Sequence, residues 1–242
     1  MRPERTEERT APASLQGGLR VYAIGDVHGC ADRLERLLRL ITDDASAAPE
    51  PHRRLIFLGD YVDRGPDSRG AIDRVLASTP LLAETVALMG NHEAMMLAAL
   101  DRPGDAEAVS LWLANGAPAT LASYGVDLSL PAARWANHVG ETHLGFLRRL
   151  TRSHVEGAYM FVHAGIRPGV PIALQDERDL MWIREPFLSS QDDHGVVVVH
   201  GHTPMREPVV RPNRIGIDTG AVYGGRLTAL VLWADRMRFL HA

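Results

Sequence analysis

The decapeptide GDYVDRGPDS, Gly59 to Ser68, sets Asp60, Asp63, Arg64 and Asp67 directly after the apolar run RLIFLG. Carboxylates crowded at the end of a buried strand repel one another. They either face water in a turn or share a positive partner. The pattern recurs along the chain. Asp26 and His28 follow LRVYAIG, Asn91 and His92 follow TVALMG, His163 closes AYMFVH, and His200 and His202 follow the valine run at 196–199. Carboxylate, imidazole and amide oxygen together suit hard and borderline cations such as Mn2+, Zn2+ and iron. Each residue alone has an ordinary explanation. Asp26 could cap a helix, Asn91 could turn beside Gly90, and single histidines often sit satisfied in a core. Recurrence after five strand-like runs points instead to one shared centre, because ligands in α/β sheets gather beyond the carboxyl ends of the strands. Gly25, Gly59, Gly90 and Gly201 stand beside the candidates and let the backbone turn and approach closely.

Something must hold these strand ends together. The short β-branched and aromatic runs read as strands buried on both faces. Three are followed by helical patterns: ADRLERLLRLI, with Leu34, Leu37, Leu38 and Ile41 on one face, then SRGAIDRVLAS and EAMMLAAL. The first half therefore reads β-α-β-α-β-α, a largely parallel sheet with helices against it. Residues 101–152 are Ala- and Leu-rich and read as helical, broken at Pro118 and Pro131, with no recognisable motif. The last third is β-rich: RIGIDTG is a strand, and RLTALVLWADRMRFL a hairpin turning at Ala234–Asp235. Asp67 reads as the cap of a helix beginning near Ser68. The expected organisation is a flexible polar leader over residues 1–18 and one catalytic α/β domain over 19–242, with two sheets.

Composition narrows the functions. The 242 residues are 45% hydrophobic and 23% charged, ordinary for a soluble globular protein. A net charge of −4 offers no broad basic field for nucleic acid or anionic lipid. The single cysteine, Cys30, allows no internal disulfide, which suits a reducing cytoplasm. The N-terminus lacks the apolar core of a signal peptide, and no apolar run approaches the ~20 residues that span a bilayer. Cytoplasmic residence, with no nucleic-acid or membrane partner, is the expectation.

GDVHG (25–29), GDYVDRG (59–65), GNHE (90–93), HAG (163–165) and GHT (201–203) occur in an order and spacing that resemble the phosphoprotein phosphatases, within the calcineurin-like metallophosphoesterases, and most nearly their bacterial serine/threonine type. The resemblance covers about residues 20–225. It implies two mixed β-sheets packed as a sandwich flanked by helices around a two-metal site. Asp26, His28 and Asp60 would hold one metal; Asp60 would bridge to the second, completed by Asn91, His163 and His202. Mn2+ is the foremost cofactor, with Fe or Zn2+ as alternatives. His92 would be the general acid, Asp63 its orienting carboxylate, and Arg64 the phosphate clamp, joined by Asn91 and by Arg184 in DLMWIREPF. The implied reaction is hydrolysis of a phosphomonoester, on a phosphorylated protein or peptide or a small phosphoester, by direct attack of metal-bound hydroxide. Cys30 lacks the C-x5-R loop of cysteine phosphatases and takes no part.

Two other readings stand beside this one. Symmetrical dinucleoside tetraphosphate hydrolases share the superfamily, but tend to lack the second aspartate of GDYVDRG and to carry Asp where Glu93 stands; Asp63 and Glu93 favour phosphoprotein chemistry. A catalytically dead scaffold would have lost ligands or the acid, and here every position is filled.

Overall fold

The run Leu19–Ile24 shows why the strands lack polar alternation. Val21 and Ala23 pack into one apolar cluster, Tyr22 and Ile24 into another, and all four are fully buried. Both faces of this strand are covered, one by a second sheet and one by helices. The computed structural model describes residues 4–78 and 84–242. Chain order begins β1 (Glu4–Arg5), β2 (Arg9–Thr10), β3 (Leu19–Ile24), α1 (Ala31–Ala47), β4 (His52–Phe57), α2 (Ser68–Ser78), β5 (Glu84–Ala87) and α3 (Asn91–Asp101). A helical stretch follows: α4 (Ala106–Ala114), α5 (Ala117–Ser123), α6 (Trp135–Val139) and α7 (Glu141–Arg148). The chain closes with β6 (Ser153–Glu156), β7 (Tyr159–Val162), α8 (Glu177–Trp182), β8 (Val197–His200), β9 (Val209–Val210), β10 (Arg214–Gly216), β11 (Thr228–Trp233) and β12 (Arg236–His241).

Two mixed sheets result. One runs β1-β12-β11-β3-β4-β5, with β2 also paired to β12; the other runs β6-β7-β8-β10-β9. β3, β4 and β5 are parallel, as the β-α-β-α-β-α reading requires, and β11 joins them antiparallel. β7, β8 and β10 are parallel within the second sheet. Val21, Ile56 and Leu230 of the first sheet meet Phe161, Val197 and Val199 of the second in one cluster. Burial of each such side chain contributes about 1.5–3 kcal/mol. On the outer face of the first sheet, Leu34, Leu37 and Ile41 of α1 pack with Tyr22, Leu55 and Phe57. The α/β sandwich flanked by helices expected from sequence is the observed architecture. Asp67 caps α2 by accepting the Gly70 N–H at 2.8 Å, and Cys30 is buried and free.

The leader differs from expectation. Residues 1–3 lie outside the described residues, but from Glu4 onward the segment follows β12 rather than standing loose. β1 and β2 pair antiparallel with β12, and the Ala11 and Leu15 amides donate to Asp235 and Ala234 carbonyls at 2.9 and 2.8 Å. Ala11 and Leu15 are buried. Main-chain pairing supplies the attachment, so two apolar side chains suffice and hydropathy gives no warning. In the helical stretch, Pro118 does not break a helix; it lies in the first turn of α5, where a missing N–H costs nothing. The interruption is Gly116, at φ +108°.

Candidate active site

The loops after β3, β4, β5, β7 and β8 converge, and they bring Asp26, His28, Asp60, Asn91, His163 and His202 into one buried cluster. Two groups of donor atoms share Asp60. One joins His28, Asp60 and His92, the other Asp60, His163 and His202, with donor atoms within 4.8 Å of one another in each. Asn91, the first residue of α3, stands in the second group: its Oδ1 lies 2.9 Å from His163 Nε2 and 3.0 Å from His202 Nδ1. Asp26 meets the cluster from the other side, accepting the His202 backbone N–H at 3.0 Å. A Cβ at Gly201 would overlap the Asp26 carboxylate, which fixes that glycine.

Electrostatics show what the cluster asks for. Burial and the charge of Asp218 push the Asp26 carboxyl well above its ordinary range. Burial would raise Asp60 too, yet the neighbouring imidazoles of His163 and His92 hold it well below. Burial disfavours a charged His163, but Asp60, Asp26 and Glu93 override it and raise the imidazole to about 9. Positive charge is thus drawn to this point, as a proton or as a cation. His163 Nδ1–H donates to the Leu58 carbonyl at 3.0 Å and His28 Nδ1–H to the Val62 carbonyl at 2.8 Å, so both rings turn Nε2 inward. A set of carboxylates, imidazoles and an amide oxygen with those orientations fits a divalent ion. His28 Nε2 now accepts from Arg64 at 2.7 Å, so ligation by His28 requires Arg64 to turn outward.

His92 is aimed differently. Its Nδ1–H donates to Asp63 Oδ2 at 2.7 Å, while the buried Nε2 has no hydrogen-bond partner among the described residues. Asp63 also accepts from Trp112 and Thr120, whose donors partly offset the upward push of burial on its carboxyl. Five of the six non-glycine residues with positive φ among the described residues belong to this region: His28, Asp60, Asp63, Arg64 and His202.

The cluster opens into a cleft of about 600 Å3, lined by Arg64, Asn91, His92, Trp182, Arg184 and Tyr223 among others. Arg64 and Arg184 are exposed there; Arg184 lies just beyond the end of α8. His200 stands apart from the donors, edge-on to Phe187 at 5.1 Å, and is a core histidine. Sequence reading missed three participants. Asp218 lines the cleft, with its carboxyl raised to about 6 by burial; IDTG repeats the acid-beyond-a-strand pattern and could have revealed it. Trp112 and Thr120 lie in the stretch without motifs, where a tryptophan reads as core.

Residues 19–227 match the calcineurin-like phosphoesterase family. The chain is 31% identical to serine/threonine-protein phosphatase 1 of Salmonella typhimurium, over 94% of this chain and 97% of that one. It is 30% identical to the asymmetrical bis(5'-nucleosyl)-tetraphosphatase PrpE of Bacillus thuringiensis, over 86% and 88%. A solved structure described provisionally as a diadenosine tetraphosphatase superposes with a TM-score of 0.66 at 25% identity, covering 92% of this chain and 93% of that one. The dinucleotide hydrolases that the sequence motifs bring to comparison are symmetrical, whereas the PrpE relatives are named as asymmetrical. With its buried shared-carboxylate cluster and family match over most of its length, the chain belongs to the calcineurin-like phosphoesterases and is a hydrolase of phosphoric esters.

Proposed function

We propose that the protein is a dinuclear phosphomonoesterase acting on phosphoserine or phosphothreonine in a protein or peptide. The observation that carries this is the His92–Asp63 pair, whose unpartnered Nε2 sits beside the donor cluster in a cleft that Arg64 also lines. Asp26, His28 and Asp60 would hold one ion, and Asp60, Asn91, His163 and His202 the other, with manganese foremost and iron or zinc as alternatives. Ions bound there would supply Lewis-acid charge that offsets the phosphate and acidifies water.

The protein's own groups do the rest. Arg64 matches phosphate oxygens with a planar fork of donors, and Arg184 adds a second cation on the same cleft. Asn91 can donate to a phosphate oxygen through its amide, and its Oδ1 would serve as a ligand beside His163 and His202. His92, oriented by Asp63, gives a proton to the departing alkoxide. A serine alkoxide is a poor leaving group, so this proton matters most for such substrates. The lone free thiol of Cys30 suits a reducing cytoplasm. Among the described residues no helix is long and apolar enough to cross a membrane.

A second reading has its own support. Trp182 and Tyr223, 37% and 64% exposed, flank the cleft together with arginines. Such rings can stack nucleobases, and the PrpE relatives make a dinucleoside tetraphosphate a substrate to compare. Steady-state kinetics on a phosphoserine peptide and on diadenosine tetraphosphate, with each metal added to stripped protein, separates the two. A kcat/KM at least about 100-fold higher on the peptide is expected; the reverse ratio replaces the phosphoprotein reading with the nucleotide one.

A further inference from the structure

We infer that Thr120 and Trp112 are positioning residues for proton transfer by His92, and that the α4–α5 segment serves the reaction by supplying them. The Asp63 carboxylate is fully buried and accepts from three side chains. Trp112 Nε1–H lies 3.1 and 3.0 Å from its two oxygens, the Thr120 hydroxyl donates to Oδ1 at 2.7 Å, and Oδ2 also accepts His92 Nδ1–H at 2.7 Å. These donors fix the plane of the carboxylate, and with it the ring of His92. Thr120 acts twice. Its oxygen also accepts the Asp63 backbone N–H at 2.8 Å, an amide shared with Ser68 Oγ at 3.1 Å, so one hydroxyl pins the main chain and the side chain of the same residue. That main chain needs pinning, since Asp63 and Arg64 are at φ +71° and +68°. Arg64 is held by the same segment: its N–H donates to the Gly116 carbonyl at 3.2 Å, between α4 and α5.

Trp112 is edge-on to Trp135 at 6.2 Å and fully buried, so its N–H needs an acceptor wherever the ring packs; what points beyond packing is which acceptor it has. Here the N–H is spent on a carboxylate two steps from the cleft.

The inference rests on the reading of His92 as proton donor, and the experiment separates the two. Thr120→Val, Thr120→Ser, Trp112→Phe and His92→Asn are compared with wild type on p-nitrophenyl phosphate, whose leaving group needs little protonation, and on phenyl phosphate, whose leaving group needs more. Metal content and melting temperature are measured for each. Thr120→Val and Trp112→Phe are expected to lose about tenfold in kcat on phenyl phosphate, the scale of one hydrogen bond to a charged group, and less than about twofold on the nitrophenyl ester. Thr120→Ser restores the rate. If His92→Asn is selective between the esters while Thr120→Val and Trp112→Phe are unchanged or lose equally on both, the positioning role is overturned and the donor role stands. If His92→Asn itself loses equally on both, the donor reading falls and this inference with it. Should Thr120→Val fail to fold, Trp112→Phe, which keeps an aromatic ring but no N–H, decides by the same criteria.

Discussion

Glu93 accepts the backbone N–H of Asp60 through Oε2 at 2.8 Å. The same carboxylate takes the amides of Tyr61 at 2.8 Å, Val62 at 3.2 Å and Gly90 at 3.0 Å. The loop that presents Asp60 therefore hangs from the first turn of α3, which ties the two strand ends together. Glu93, with Asp63, separates two enzyme types in the sequence motifs; in the structure it is a bracket for the loops that present Asp60 and Asn91.

Replacing it by glutamine turns one acceptor oxygen into a donor that faces backbone N–H groups. Glu93→Gln should cost about 1–3 kcal/mol in urea denaturation and should also lower bound metal. Unaltered stability would show that the four amides find other partners.

Asp60 lies in both donor groups, so its charge serves both ions of the proposed pair. Asp60→Asn should weaken metal binding by more than about 100-fold, because loss of even an outer partner of a ligand costs about 10–100-fold. Elemental analysis of purified protein reads this directly, and unchanged metal would remove Asp60 from the shared position.

The N-terminal segment gives a test that involves no chemistry. Leu15 is 6% exposed and packs in the cluster between the two sheets. Leu15→Ala should destabilise the fold by about 2–4 kcal/mol. A loose leader would show no change in midpoint.

The protein should also weaken in acid through His241. Burial, helped by the charge of Arg226, holds its imidazole below the ordinary range, and its Nδ1 lies 2.9 Å from the Thr228 hydroxyl. A folded pKa below the unfolded value means that the unfolded chain binds the extra proton. The contribution is fully present above about pH 6.5 and is lost as pH falls towards the folded pKa. The gap in stability between wild type and His241→Asn should narrow on acidification by up to about 1.4 kcal/mol per pH unit. A gap constant from pH 7.5 to 5 would show that His241 does not titrate differently on unfolding.

Much of this architecture is legible in the chain, for identifiable reasons. β3 from Val21, β4 from Leu55 and the whole of β7 are buried, so each appears as a short apolar run ending at a polar turn, and its end marks the site. β1 and β2 are held by main-chain bonds that leave no trace in side-chain chemistry. Pro118 misled because proline is tolerated in a first helical turn as readily as it ends a helix. Trp112 and Thr120 reach Asp63 only through tertiary packing of α4 and α5, and no local spacing announces that. Asp218 was legible in principle, since IDTG has the form of the other strand ends.

The left-handed backbone at His28, Asp60, Asp63, Arg64 and His202 carries a lasting consequence for how this molecule can change. Each such conformation in an L-residue costs about 1–2 kcal/mol, and the five together are comparable with the entire margin that keeps a domain folded. Glycine would relax the backbone at every one of them, but at Asp63 it would also strand the buried donors of His92, Trp112 and Thr120. Strain and side chain are tied together there, so drift towards an easier backbone is blocked at Asp63 by the partners it would abandon.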